Sequence, residues 1–320
     1  MKDVAAMISR ASRLLLISHV LPDGDALGSS LGLMHLLTEQ GKQVRVFSAG
    51  PIPEEYLFLP GMDHVSDELS KAGDQDLVVM LDCHQPERTG QVSGPFLAKQ
   101  PSVAIIDHHQ GEVDFGQAAW VDPSYAATSE MVTILAQEQG WNVSPQAATC
   151  LFVGVQTDTG SFRYGNTTPR VFRVAADLTQ AGAEVWPISQ EVYATRPKRL
   201  RLLGRIMENL ELSQEGRLAL SQITLADLEK VGAGPADLEQ AVETLRLIPG
   251  VEVSALFRQT PKGAIKVSMR SRGKVDVSQV AIALGGGGHK SAAGVTLEGN
   301  LQGVRRDIAT RLRQGLEAMS

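Results

Sequence analysis

The chain has 320 residues, 43% of them hydrophobic and 21% charged, with a net charge of −6. That length exceeds the usual single core, so two compact domains are expected, and no apolar stretch is long enough to be a membrane-spanning helix. A net negative chain is poorly suited to capturing long nucleic acid, because non-specific binding comes mainly from neutralising phosphates. Small anionic substrates fit it where bound metal ions invert the local charge. The N-terminus lacks the apolar core and small-residue cleavage site of a signal peptide, so a cytoplasmic location is expected. Cys83 and Cys150 lie in apolar surroundings without a CxxC partner and read as buried free thiols.

Residues 13–17 form an apolar run that breaks at Pro22-Asp23-Gly24-Asp25, the pattern of a buried strand feeding a loop. Helical apolar spacing follows from Ala26 and stops at Gly41, and residues 44–47 read as a second strand. Residues 77–82 and 103–107 are two more buried strands, each closing on an aspartate. Strands alternating with helices predict an α/β fold with a mostly parallel sheet flanked by helices. Helices are predicted over 126–139 and 145–156, the second nearly all apolar and followed by Thr157-Asp158-Thr159-Gly160. A further helix over 169–180 opens on proline.

Residues 186–215 carry no strand signal and include a basic, amphipathic stretch, so they are read as a helical linker between a domain over 1–185 and another over 216–320. The second is a smaller α/β unit with strands over 217–224, 251–258 and 264–270, two helices and a glycine run at 285–288. Lys198, Arg199, Arg201 and Arg205 read as the solvated face of the linker helix rather than as a nucleic-acid path.

Four polar groups stand out in the first domain. His19-x3-Asp23-x-Asp25 follows the first strand, Asp82 ends the third, Asp107-His108-His109 ends the fourth, and Asp158 ends an apolar helix. Hard oxygen donors mixed with imidazole suit Mn²⁺, Mg²⁺ or Co²⁺ better than a thiolate-preferring ion. In an open α/β sheet, ligands bind beyond the carboxyl ends of the strands, where these groups lie. Six or seven ligands are enough for two metals sharing a carboxylate, which suits in-line displacement at phosphorus. No G-x-S-x-G elbow or P-loop is present.

Taken in order, these four segments resemble the motifs of the DHH phosphoesterase superfamily, and Gly285-Gly286-Gly287-Gly288-His289 resembles the glycine-rich motif of its companion DHHA1 domain. The resemblance covers nearly the whole chain and is closest to the NrnA-type nanoRNases, which also act as phosphatases on 3′-phosphoadenosine 5′-phosphate (pAp). It implies that His19 and Asp23 bind one metal, that Asp25, His108 and Asp158 bind the other, and that Asp82 bridges them. His109 is assigned to the scissile phosphate, with Asp107 orienting the histidine pair. Two Mn²⁺ ions per site are expected, with Mg²⁺ or Co²⁺ as substitutes.

In the second domain, the alternation at 266–272 puts Lys266, Ser268, Arg270 and Arg272 on one face. The glycine run reads as a place where backbone amides approach an anion closely. The resemblance implies that Arg270 and His289, with Gly286, Gly287 and Gly288, face the catalytic cleft and bind the nucleotide beyond the scissile phosphate.

The expected partners are short single-stranded oligonucleotides, trimmed to 5′-mononucleotides, or small nucleotides such as pAp, with no membrane partner. The oligomeric state is open, a homodimer included. The alternatives are a phosphodiesterase for cyclic di-AMP or linear dinucleotides, a family-II inorganic pyrophosphatase, and a non-catalytic nucleotide-binding regulator. The Gly-Gly-Gly-Gly-His element argues against the pyrophosphatase.

Overall fold

The computed structural model describes residues 1–72, 74–100 and 102–318. The chain divides into two compact units, Met1–Ala194 and Thr195–Ser320. No helix among the described residues is long and apolar enough to cross a membrane.

The first unit runs α1 (Lys2–Arg10), β1 (Arg13–Ile17), α2 (Gly24–Thr38), β2 (Gln43–Phe47), β3 (Val65–Ser66), β4 (Leu77–Leu81), α3 (Ser93–Leu97), β5 (Val103–Asp107) and β6 (Ala118–Val121). It closes with α4 (Thr128–Glu138), α5 (Pro145–Asp158), α6 (Pro169–Gln180) and α7 (Val185–Val192). The strands form one sheet in the order β3-β2-β1-β4-β5-β6, and every neighbouring pair is parallel. Both faces are covered. Leu14, Leu16, Val79, Leu81, Ala104 and Ile106 pack toward α2, α4 and α5, while Leu15, Ile17, Val78, Met80 and Ile105 form a second core on the other face. This two-sided burial is why the strands read as unbroken apolar runs rather than as alternations.

The register aligns the strand ends. Ile17 pairs with Met80, and Met80 pairs with Ile105. His19, Asp82 and Asp107 each lie two residues further on, so three adjacent strands deliver them at one level. β1 is also where the strand order reverses, with β2 on one side and β4 on the other. This is the switch point at which a parallel sheet opens a crevice.

All of α2 except His35 and Thr38 is buried. It packs antiparallel to α5 at very short range. A Cβ on Gly28 would meet the Cys150 carbonyl at 2.5 Å and the Gly154 nitrogen at 2.9 Å, and one on Gly24 would meet the Thr157 side chain. Absent side chains on α2 therefore bring the N-terminus of α2, with Asp25, beside the C-terminus of α5, with Asp158.

The second unit runs α8 (Pro197–Glu208), β7 (Glu211–Ser213), β8 (Leu218–Ile223), α9 (Leu225–Val231), α10 (Glu239–Arg246), β9 (Val253–Gln259) and β10 (Ile265–Ser271). Then come α11 (Val277–Ile282), β11 (Gly287–His289), β12 (Ala292–Leu297) and α12 (Leu301–Glu317). Its sheet has the order β11-β12-β10-β9-β8-β7, with β8 and β9 parallel and the other pairs antiparallel. Val267, Met269 and Val295 pack with Ile308 and Leu312 of α12 on one face, and Ala219 and Leu256 pack with Leu202, Leu228 and Leu245 on the other.

Residues 186–215 contribute to both units. Ile188 and Val192 of α7 join the first unit's core, whereas Leu202 and Ile206 of α8 join the second's.

Candidate metal centre

His19 leaves β1 with its Nδ1 2.9 Å from the Val20 carbonyl, so an Nδ1–H donates there and Nε2 faces the site. That Nε2 is 3.8 Å from Asp23 Oδ1 and 3.2 Å from Asp82 Oδ2. Asp23 caps α2, its Oδ1 accepting the amides of Asp25 and Ala26 at 3.1 and 3.0 Å.

Asp25 is fully buried, and its two oxygens accept the backbone amides of Thr128 and Ser129 at 2.6 and 2.8 Å. It thereby does for α4 what the helix's own N-cap, Ala127, cannot. His108 inserts its Nε2 among three carboxylates, 3.9 Å from Asp25 Oδ2, 3.4 Å from Asp82 Oδ1 and 3.1 Å from Asp158 Oδ2. The adjacent His109 ring is tilted by 53° from His108, with its Nδ1 2.8 Å from Asp107 Oδ1. Both rings approach Asp82 Oδ1, His108 Nε2 at 3.4 Å and His109 Nδ1 at 3.6 Å, but the hydrogen bond of His109 is to Asp107.

Asp82 stands between the clusters. One oxygen faces His19 and the other faces His108, and the second also accepts the Thr128 hydroxyl at 3.1 Å. Its backbone has φ +61°, a conformation disfavoured for side chains other than glycine and associated with functional sites. Three groups of donor atoms lie within 4.8 Å of one another, namely His19, Asp23 and Asp82, then Asp25, His108 and Asp158, then Asp82, His108 and His109.

The electrostatics fit a cation. Burial works against the charged form of His19, but Asp82 and Asp23 outweigh it and lift its pKa to about 9. Burial likewise opposes charge on His108, while Asp158, Asp82 and Asp25 lift it to about 12. Asp158 is pushed up to about 6 by burial and by the charges of Asp82 and Asp23. Asp25 moves well above the ordinary carboxylate range through burial and the charges of Asp82 and Asp158. Burial opposes ionisation of Asp82 too, yet the two imidazoles hold it below that range. Backbone amides offset part of this charge and raised proton affinities at His19, His108, Asp25 and Asp158 offset more, while the buried Nε2 of His108 has no well-formed hydrogen bond. A divalent cation would replace those protons and use that lone pair.

The chain has known relatives. A model of the DHH family, N-terminal domain, matches residues 13–155, and one of the DHHA1 domain matches residues 216–316. The chain is 38% identical to the bifunctional oligoribonuclease and PAP phosphatase NrnA of Thermus thermophilus over 88% of its length and 83% of the relative's. The chain belongs to the DHH family. Its structure also matches that of an exopolyphosphatase-related protein from Bacteroides fragilis with a TM-score of 0.89 and 29% identity, over 99% of this chain and 96% of the other. It shares its fold with exonuclease RecJ, crystallised bound to manganese, with a TM-score of 0.54 and 16% identity over 97% and 92% of the two chains.

Within the DHHA1 domain, Arg270 pairs across the sheet with Ala292, and Ala292 pairs with His289. Opposed residues share a face, so Arg270 and His289 stand on the same face with one small residue between them. Arg270 is half-buried and donates from Nη1 to the Met269 carbonyl, and His289 is exposed. Gly287 and Gly288, with His289, form edge strand β11, and Gly285 and Gly286 lead into it. The close approach seen there is to β12, since a Cβ on Gly286 would meet the Gly294 carbonyl at 2.3 Å and one on Gly288 the Ala292 carbonyl at 2.5 Å. Gly287 has open space beside it. Arg272 lies past the end of β10 and donates to the Arg246 carbonyl at the end of α10. Lys198 and Arg199 of α8 both bind Asp237, at 2.9 and 3.2 Å.

Sequence reasoning missed three residues of the DHH domain. Thr128 and Ser129 hold Asp25 and Asp82 from more than forty positions away in the chain. His84, two residues after Asp82, binds the far oxygen of Asp107. Its only sequence signal is a histidine just beyond a strand-end aspartate.

Proposed function

We propose that the chain is a two-metal phosphoesterase that trims short single-stranded oligonucleotides to 5′-mononucleotides and removes a phosphate from pAp. The observation that carries this reading is Asp82, whose two oxygens address two separate clusters of donors. The name of the Thermus relative supports the substrate class, and the manganese bound to the RecJ fold supports the choice of Mn²⁺ over softer ions.

In this reading His19 and Asp23 hold one ion, Asp25, His108 and Asp158 hold the other, and Asp82 serves both. Two divalent cations held there would supply neutralisation of phosphoryl charge and a water acidic enough to attack near neutral pH. The protein's own residues set the geometry. Asp25 is fixed by the amides of α4, and Asp82 by the Thr128 hydroxyl. His109 is anchored through Nδ1 on Asp107, which leaves Nε2 for a phosphoryl oxygen. Arg270, with its forked guanidinium, suits a terminal phosphate, and His289 suits stacking on or hydrogen bonding to a base. Gly286, Gly287 and Gly288 complete that substrate-binding set.

The test is side-by-side turnover of linear di-, tri- and pentanucleotides, pAp, cyclic di-AMP and pyrophosphate with Mn²⁺, together with product analysis on a 5′-labelled RNA ladder. Mononucleotide release from linear substrates, abolished by chelation and restored by Mn²⁺, is expected. Faster turnover of cyclic di-AMP than of every linear substrate would make the chain a cyclic dinucleotide phosphodiesterase. No turnover of any substrate by metal-loaded protein would leave a binding protein.

A further inference from the structure

We propose that His84 is a positioning residue that acts through Asp107 to fix the orientation of His109. The inference rests on the phosphoesterase reading of the site and adds a residue to it. His84 is 4% exposed, and its Nδ1 lies 2.5 Å from Asp107 Oδ2. The other oxygen, Oδ1, accepts the backbone amide of His109 at 3.0 Å and its Nδ1–H at 2.8 Å. One carboxylate therefore gives one oxygen to each imidazole, and it cannot rotate without breaking a bond to both.

His109 needs such an anchor. Its side chain is 38% exposed, so packing alone does not hold the ring. With Nδ1 committed to Asp107, Nε2 is the nitrogen left for substrate, and its direction depends on the direction of Asp107. His84 fixes that direction from behind, where the backbone confines its own ring. A Cβ on Gly111 would lie 2.4 Å from His84 Nε2.

Of the two ring nitrogens of His84, Nε2 is buried with no hydrogen-bond partner among the described residues, and Nδ1 meets the fully buried Asp107. The Nδ1–H that reaches Asp107 is what the imidazole adds.

The experiment uses the full chain loaded with Mn²⁺ and pAp as substrate. His84→Leu keeps bulk and removes the donor, whereas His84→Asn places an amide N–H where Nδ1 stood. His84→Leu is expected to lower kcat about tenfold with little change in KM, and His84→Asn to recover most of that loss. His109→Ala combined with His84→Leu is expected to be no slower than His109→Ala alone, since the effect runs through His109. Proton–nitrogen correlation spectra of the imidazoles, recorded without substrate on protein loaded with diamagnetic Mg²⁺ in place of Mn²⁺, give a readout independent of turnover. The His109 Nδ1–H signal is expected in the wild type and in His84→Asn, and is lost to exchange in His84→Leu.

Equal impairment of the leucine and asparagine variants, multiplied losses in the double variant, or an unchanged His109 signal in His84→Leu would each overturn the inference. If His84→Leu does not fold, His84→Gln, whose amide sits one bond further out, replaces it and is expected to be as slow. Failure of the phosphoesterase reading looks different. The wild type itself would then leave pAp intact, and the spectra would still decide whether His84 orients His109.

Discussion

Replacing Asp82 by asparagine removes one charge and almost no volume. Asparagine accepts the left-handed backbone at φ +61° better than other non-glycine residues, so the change adds little strain, which alanine would not guarantee. The lost charge is shared. Oδ2 lies 3.2 Å from His19 Nε2 and Oδ1 lies 3.4 Å from His108 Nε2, so an amide leaves one donor cluster facing N–H groups instead of an oxygen. Metal stabilisation of the transition state is worth several kcal/mol, and a loss of about 4 kcal/mol corresponds to roughly a thousandfold in rate.

We therefore expect kcat/KM for pAp to fall about a thousandfold, and bound Mn²⁺, measured by elemental analysis after desalting, to fall from about two ions per chain to about one or fewer. The metal-free protein should be little affected. His19 and His108 lose a partner, but Asp25 and Asp158 are relieved of a neighbouring charge that opposes their ionisation. The unfolding free energy without metal is expected to change by less than about 1 kcal/mol. An asparagine variant with wild-type turnover and a full metal complement would refute the shared-carboxylate reasoning.

Gly28→Ala places a methyl group against the backbone atoms of Cys150 and Gly154. Because neither can yield cheaply, urea denaturation should show a loss of about 2 kcal/mol or more, and activity should fall as Asp25 and Asp158 move apart. Arg170→Met leaves Glu130 buried without its 2.8 Å partner, with only the Ala126 amide on its other oxygen. A loss of about 3 kcal/mol in thermal or chemical denaturation is expected, and a neutral outcome would mean that the pair does not hold the start of α4. Asp237 supplies one acid-sensitive contact of the second unit, beside Asp227 and Asp276. Burial would raise its pKa, but the Gly234 amide, Lys198 and Arg199 outweigh burial and lower it. A depressed pKa means that the contribution is present above the unfolded value of about 3.9 and is lost as pH falls through the folded value. Asp237→Asn should flatten the decline in urea midpoint from about pH 4 downward, and an unchanged decline would rule Asp237 out as its source.

Much of the catalytic end was legible in the sequence because parallel strands buried on both faces leave a plain trace. Residues 14–17, 77–81 and 103–106 are apolar throughout, so the polar residues that follow them, among them His19, Asp82 and the Asp107 to His109 group, mark the crevice edge. Short elements left no such trace. β3 has only two residues, and β11 is two glycines and a histidine, too short and too poor in side chains to show a period.

The sequence by itself determined which residue types gather at the strand ends, because the hydrophobic pattern dictates where each strand stops and its order in the chain is fixed. Only the tertiary structure decided how their atoms are shared. Asp25 caps α4 from more than a hundred residues away, Asp82 splits its oxygens between two clusters, and Asp107 joins His84 to His109. Lys198 and Arg199 look like a solvated charge run and are pinned to Asp237. Such assignments depend on distances of about 3 Å between side chains far apart in the chain, and no local pattern encodes a distance between elements that meet only when the chain packs.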